Sequence, residues 1–231
     1  MKRNQSGFTL IEIAIVLVII GLLLGGVMKG QELINSAKVK NLAGDFKNIP
    51  VYVYGYQDKF RSLPGDDANA VSHLGTGAAQ AASAVAGNGV ISGYWNSTTA
   101  TDESYIFWEH VRRAGLATGS TTPGAADYIP VNAAGGKIGI MSGTTTVANA
   151  AMNDGAGTPV AIRGSYVICS QGILGKFVKQ LDLQVDDGNT AGGSMMAALG
   201  STYATGAQST TAAVATASID DAASYIVCMG I

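Results

Sequence analysis

Residues 7–28 read Gly7-Phe8-Thr9-Leu10-Ile11-Glu12 and then IAIVLVIIGLLLGGVM, an almost wholly apolar run broken by one carboxylate. As a helix, the 21 residues from Phe8 to Met28 would be about 31 Å long, which matches the hydrocarbon core of a bilayer. The residues before it, MKRNQSG, are short, polar and basic. Lys2 and Arg3 place that end on the cytoplasmic side, because positive flanks stay inside. An ordinary secretory signal has a shorter apolar stretch that ends in a small-residue cleavage site. No Ala-x-Ala follows this run, and its small residue, Gly7, comes before the stretch.

Glu12 is the residue out of place. A carboxylate at the centre of a membrane helix costs about 2.5–3.5 kcal/mol on insertion scales and usually has an identifiable partner. Cleavage after Gly7 would create one. The new α-amine of Phe8 would be cationic and one helical turn from Glu12, on the same face. Within a chain the pair would neutralise itself. Between chains, Glu12 of one helix would neutralise Phe8 of the next and set the register of a helical bundle. The residues alone also allow a plainer reading, a glutamate near the end of an uncleaved anchor that reaches toward the headgroups.

Gly7-Phe8-Thr9-Leu10-Ile11-Glu12 after a short basic leader resembles the processing signal of type IV prepilins and pseudopilins. The resemblance covers roughly residues 1–35. It implies that a membrane prepilin peptidase cuts between Gly7 and Phe8 and methylates the Phe8 amine, and that Glu12 is the glutamate needed for assembly. The implied architecture is the pilin fold, an α+β structure in which a long N-terminal helix packs on an antiparallel sheet with long loops. Its segments would be a removed leader at 1–7, an apolar membrane and filament-core helix at 8–30, an amphipathic continuation at 31–63 and a globular head at 64–231. The implied partners are other copies of the chain in a helical filament, the peptidase and the inner-membrane assembly machinery. The implied route runs from the bacterial inner membrane to an extracellular filament, or to the periplasm for a pseudopilin. There is one departure. Many relatives carry a proline in the later part of the apolar helix, whereas this chain has Gly21, Gly25 and Gly26 there. Each interior glycine weakens a helix by about 1 kcal/mol relative to alanine, so these three would either permit local melting or allow close helix packing.

Farther along, Val39, Leu42, Phe46, Ile49, Val53, Tyr56 and Phe60 make one apolar stripe at helical spacing, opposite Lys38, Asn41, Asp45, Asn48 and Lys59. Pro50 predicts a kink near Phe46–Pro50, and Leu63-Pro64-Gly65-Asp66 predicts the end of the helix. Residues 75–100 read as a long loop, with a tight turn at Gly87-Asn88-Gly89. Asp102 to Gly115 reads as a helix with Asp102 as N-cap and Gly115 as terminator. Strands are predicted at 127–132, 137–141, 159–162, 165–169 and 224–229, and a helix over 172–185. Residues 189–218, rich in Gly, Ala, Ser and Thr, read as a solvent-exposed excursion.

Cys169 and Cys228 each end a β-branched, aromatic run, Tyr-Val-Ile-Cys and Tyr-Ile-Val-Cys. In an exported protein two such thiols on paired strands are expected to be oxidised. The alternative is two unpaired, buried strand cysteines. The resemblance adds that a Cys169–Cys228 bridge would correspond to the disulfide that staples the C-terminal loop of many pilins.

Little points to catalysis. The chain has 14 basic and 16 acidic residues and no basic cluster, which argues against a dedicated nucleic-acid binder. The two histidines, His73 and His110, lie outside any metalloprotease or nucleophile motif, and His110 reads as a packed or capping residue. No cofactor is expected. The one metal worth weighing is calcium, because Asp182, Asp186, Asp187 and Asn189 gather hard oxygen ligands near Gly188. Their spacing lacks the alternating acidic pattern, and Asp186-Asp187-Gly188 also suits a helix end with a left-handed glycine. Asn96-Ser97-Thr98 fits a glycosylation sequon, which reads as a chance match. The leading expectation is a structural filament subunit. A type II secretion pseudopilin is the alternative, and a signal-anchored binding protein or enzyme is the remote one.

Overall fold

The computed structural model describes residues 10–82, 85–200 and 211–231. Gly7 and Phe8 lie outside the described residues. The chain divides into two units, residues 1–38 and residues 39–231. One helix, α1 (Leu10–Phe60), contributes to both. In the first unit its apolar side chains are exposed, from Leu10 to Ile34.

In the second unit α1 becomes amphipathic, as the spacing requires. Val39, Leu42, Phe46, Ile49, Val53 and Tyr56 are buried, and Phe60 is half-buried. Lys38, Asn41, Asn48 and Lys59 are exposed on the other side. The helix runs through Pro50, which removes one backbone hydrogen bond without ending the element. It stops at Phe60, and Arg61 then takes a left-handed conformation (φ 57°).

Next come α2 (Ala70–Leu74) and α3 (Glu103–Arg113). Gly115 follows α3 with φ 78°, as its predicted terminating role needs. Asp102 sits at the N-cap position but makes no capping bond; its carboxylate accepts the Ser97 hydroxyl instead, at 2.6 Å. Arg112, only 8 % exposed, donates to the carbonyls of Thr118, Ser120, Asp127 and Tyr128. It thereby gathers the loop after α3 around one guanidinium.

The sheet comprises β1 (Ile138–Ser142), β2 (Tyr166–Leu174), β3 (Met195–Leu199) and β4 (Ser224–Gly230), with α4 (Gly175–Val185) directly after β2. All pairings are antiparallel and the order is β1-β2-β4-β3. The architecture is therefore α+β, a long N-terminal helix on a four-stranded antiparallel sheet, consistent with the pilin fold.

Alternation along the strands gives the sheet two apolar faces. Ile138, Ile140, Ile168, Ile173, Tyr225 and Val227 pack with α1, α3 and α4. Met141, Val167, Cys169, Met196, Ile226 and Cys228 face the other way, where Trp95, Met152 and Ile162 cover them from loops. Gly139 admits this cover, because a Cβ there would overlap the Trp95 carbonyl.

Three expectations need correction. Residues 127–132 and 159–162 are not strands; each keeps only an isolated bridge, Val131 with Lys137 and Asn153 with Ala161. Pro130 and Pro159 remove donors in the middle and at the start of these runs. Residues 189–218 are not wholly an exposed excursion. Met195–Leu199 form an edge strand on β4, and Thr190, Met195, Met196, Ala197 and Ala198 are buried. Residues 172–174 belong to β2, so the predicted helix begins at Gly175.

Cys169 and Cys228 are register partners on β2 and β4 and form a disulfide (S–S 2.01 Å), both fully buried. With a sequence separation of 59, the bridge removes about 4 kcal/mol of unfolded-chain entropy on the loop model. The double variant Cys169→Ala/Cys228→Ala is expected to lose stability of that order. Denaturant unfolding of the two proteins checks it, and equal midpoints would refute it.

Candidate functional site

Three groups of residues carry the chemistry. The first is the apolar half of α1. From Leu10 onward it is long and apolar enough to cross a membrane, and none of that window is buried against the protein. Glu12 lies in its first turn. The next charges along the helix are Lys29 and Glu32, ion-paired at 2.7 Å where the apolar stretch ends. Beyond the adjoining backbone of the helix itself, a Cβ added at Gly21, Gly25 or Gly26 would meet no atom of the described residues within 4 Å. Nothing inside the protein therefore requires glycine at these positions.

The second group surrounds the turn after α1, where Leu63, Asp66 and Asp67 are buried. Asp67 accepts the Tyr56 hydroxyl (2.8 Å), the Asn69 amide (2.8 Å) and His73 Nδ1 (2.7 Å). Burial alone would raise this carboxyl; the bonds from His73, Tyr56 and Asn69 outweigh it and hold it below the usual carboxylate range. His110 Nδ1 accepts the Gly65 amide (2.9 Å), so Nε2 carries the proton and donates to the Ala79 carbonyl (2.7 Å). Burial depresses the His110 pKa, and the ring is neutral. It is a packed residue, as its sequence setting suggested. Glu109 accepts the Ala79 amide and pairs with Arg113 at 2.6 Å. The two histidines thus hold loops in place. Leu63-Pro64-Gly65-Asp66 predicts the helix end, and the adjacent carboxylates Asp66-Asp67 beside a glycine are the local signal of this bonded turn.

The third group is the calcium candidate at the end of α4. Asp186 accepts the Ser194 amide and hydroxyl and the Met195 amide, at 2.7–2.9 Å. Asp187 accepts the Asn189 amide, and Asn189 the Ala191 amide. Gly188 has φ 85°. These bonds fasten the start of β3 to the end of α4. Asp182 is fully buried and neither oxygen has a hydrogen-bond partner. Burial, with Asp186 and Asp187 nearby, pushes it up to about 6. Among the described residues no three His, Cys, Asp or Glu side chains form a group able to hold a metal ion. Asp186, Asp187 and Asn189 instead spend side-chain oxygens on donors of the chain itself. Asn96 is 5 % exposed, which removes the sequon as an accessible site.

Residues 2–28 match the family described as the prokaryotic N-terminal methylation motif. No curated protein and no solved structure matches the chain. The chain thus carries the prepilin-type signal shared by type IV pilins and pseudopilins. This motif marks a pilin-like substrate of prepilin peptidase, and it points to a structural subunit rather than an enzyme. With the apolar helix, it fits a membrane-anchored precursor.

Proposed function

We propose that this chain is a structural subunit of a type IV pilus or pilus-like extracellular filament. One observation carries the reading: a methylation motif over 2–28 takes in an apolar helical stretch long enough to cross a membrane, none of which is buried in its own chain. Such a helix needs a membrane before assembly and other helices afterwards. Cleavage falls between Gly7 and Phe8, the new Phe8 amine is methylated, and Glu12 neutralises the amine of a neighbouring copy. The first unit then forms the filament core, with the assembly machinery of the inner membrane as its other partner. The second unit, stapled by Cys169–Cys228, is the exported head.

Shearing filaments from cells, followed by mass spectrometry, tests the assignment. The expected result is long extracellular fibres built mainly of this chain, beginning at a methylated Phe8. Retention of the chain with the inner membrane would overturn the pilus reading and favour the short periplasmic assembly of a type II secretion pseudopilin.

A further inference from the structure

Asp66 and Glu103 are buried carboxyls that form no ion pair among the described residues. Asp66 is 2 % exposed and Glu103 not at all. Asp66 Oδ1 accepts the amides of Gly87 and Asn88, and Oδ2 accepts the Gly89 amide at 2.7 Å. Glu103, the first residue of α3, accepts the Ser92 amide on Oε2 at 2.8 Å, while Oε1 has no donor. The two chain segments touch, since a Cβ at Gly65 would overlap the Glu103 carbonyl.

The other charged and titratable groups around the pair are accounted for. On the same turn, Asp67 is bound to Tyr56 and His73. On α3, Glu109 pairs with Arg113, and His110 is bound to Gly65 and Ala79. Asp102, just before α3, holds Ser97. Arg61, at the end of α1, pairs loosely with Asp58 at 4.0 Å. Tyr166, at the start of β2, feels the Asp66 charge.

A carboxylate oxygen out of water with neither a donor nor a counter-charge takes up a proton. Both oxygens of Asp66 accept amides, whereas Glu103 Oε1 is the buried oxygen without a donor, so the proton belongs there. We infer that Glu103 holds a proton on Oε1, and that this neutral carboxyl, with the amide bonds to Asp66, latches the 85–92 loop and the start of α3 onto the end of α1. The same loop bonds β1 through Ile91 and Ser142, so the latch joins helix to sheet.

Burial, reinforced by Asp66, raises the Glu103 carboxyl above its ordinary value. The docked loop therefore binds a proton that the open loop gives up. Docking is strongest below the ordinary glutamate pKa and weakens as pH rises toward the folded-state value. His110, buried neutral, works with the opposite sign, so the readout is the difference between wild type and a Glu103 variant.

The test is hydrogen exchange of the 85–92 amides in the full chain in detergent, corrected for intrinsic rates, across the mildly acidic to neutral range. The wild-type opening constant should rise relative to Glu103→Gln by up to about tenfold per pH unit before levelling. Should Glu103→Gln fail to fold, Glu103→Met, which fills the same space with no titratable group, should flatten the profile in the same way. Superimposable profiles for wild type and the folded variant would overturn the proposal. So would a wild-type profile that is flattened by added calcium or magnesium, because a cation rather than a proton would then hold the pair.

Discussion

Glu12→Ala should leave a chain that inserts in the membrane and is cut after Gly7, yet is missing from filaments. Removing the carboxylate lowers the insertion cost by about 2.5–3.5 kcal/mol, so the precursor should be at least as well anchored as wild type. What is lost is the counter-charge for a cationic Phe8 amine among packed apolar helices. At about 4 Å and an effective dielectric near 20, such a pair interacts by about 4 kcal/mol. Every joint of a helical filament would repeat that loss, so a modest term per subunit becomes an all-or-none effect. Immunoblots of sheared and membrane fractions give the readout. Filaments at wild-type levels would sink the neutralisation argument. Glu12→Asp, which keeps the charge on a shorter stem, should recover part of the assembly.

Gly7→Leu should give the second large effect, a precursor about seven residues heavier that accumulates in the membrane. If the cut falls between Gly7 and Phe8 as proposed, the peptidase needs a small residue before the bond, and a branched side chain there should block its approach. Without cleavage no amine forms on Phe8, so the defect should extend to assembly even though Glu12 is intact. Intact-mass measurement of the membrane fraction settles it. A normally processed Gly7→Leu chain would overturn the cleavage position, whatever its assembly.

Most of the scaffold could be read from local pattern, because its elements announce themselves locally. The 3–4 spacing of Val39 through Tyr56 matched the buried face of α1. The β-branched runs before Cys169 and Cys228 matched two central strands whose register brings the sulfurs together. Edge strand β3 was hidden because Met195-Met196-Ala197-Ala198-Leu199 favours helix intrinsically, and only pairing with β4 makes it a strand. The opposite error at 127–132 and 159–162 came from β-branched residues that had no long partner to pair with. The turn after α1 was illegible for another reason. Its bonds join residues 11 to 45 positions apart, and no window of sequence brings Gly65 beside Glu103.

The strand order has a consequence for timing. Strand β4 lies between β2 and β3 in space but comes after both in the chain. If the head is exported as proposed, then until residues 224–230 cross the membrane β2 and β3 have no common neighbour, and Cys169 has no thiol to meet. A subunit caught halfway through export therefore has an anchored helix and an unfinished sheet. Closing that sheet, and oxidising its one disulfide, would report that translocation is complete before the helix is drawn into a growing fibre.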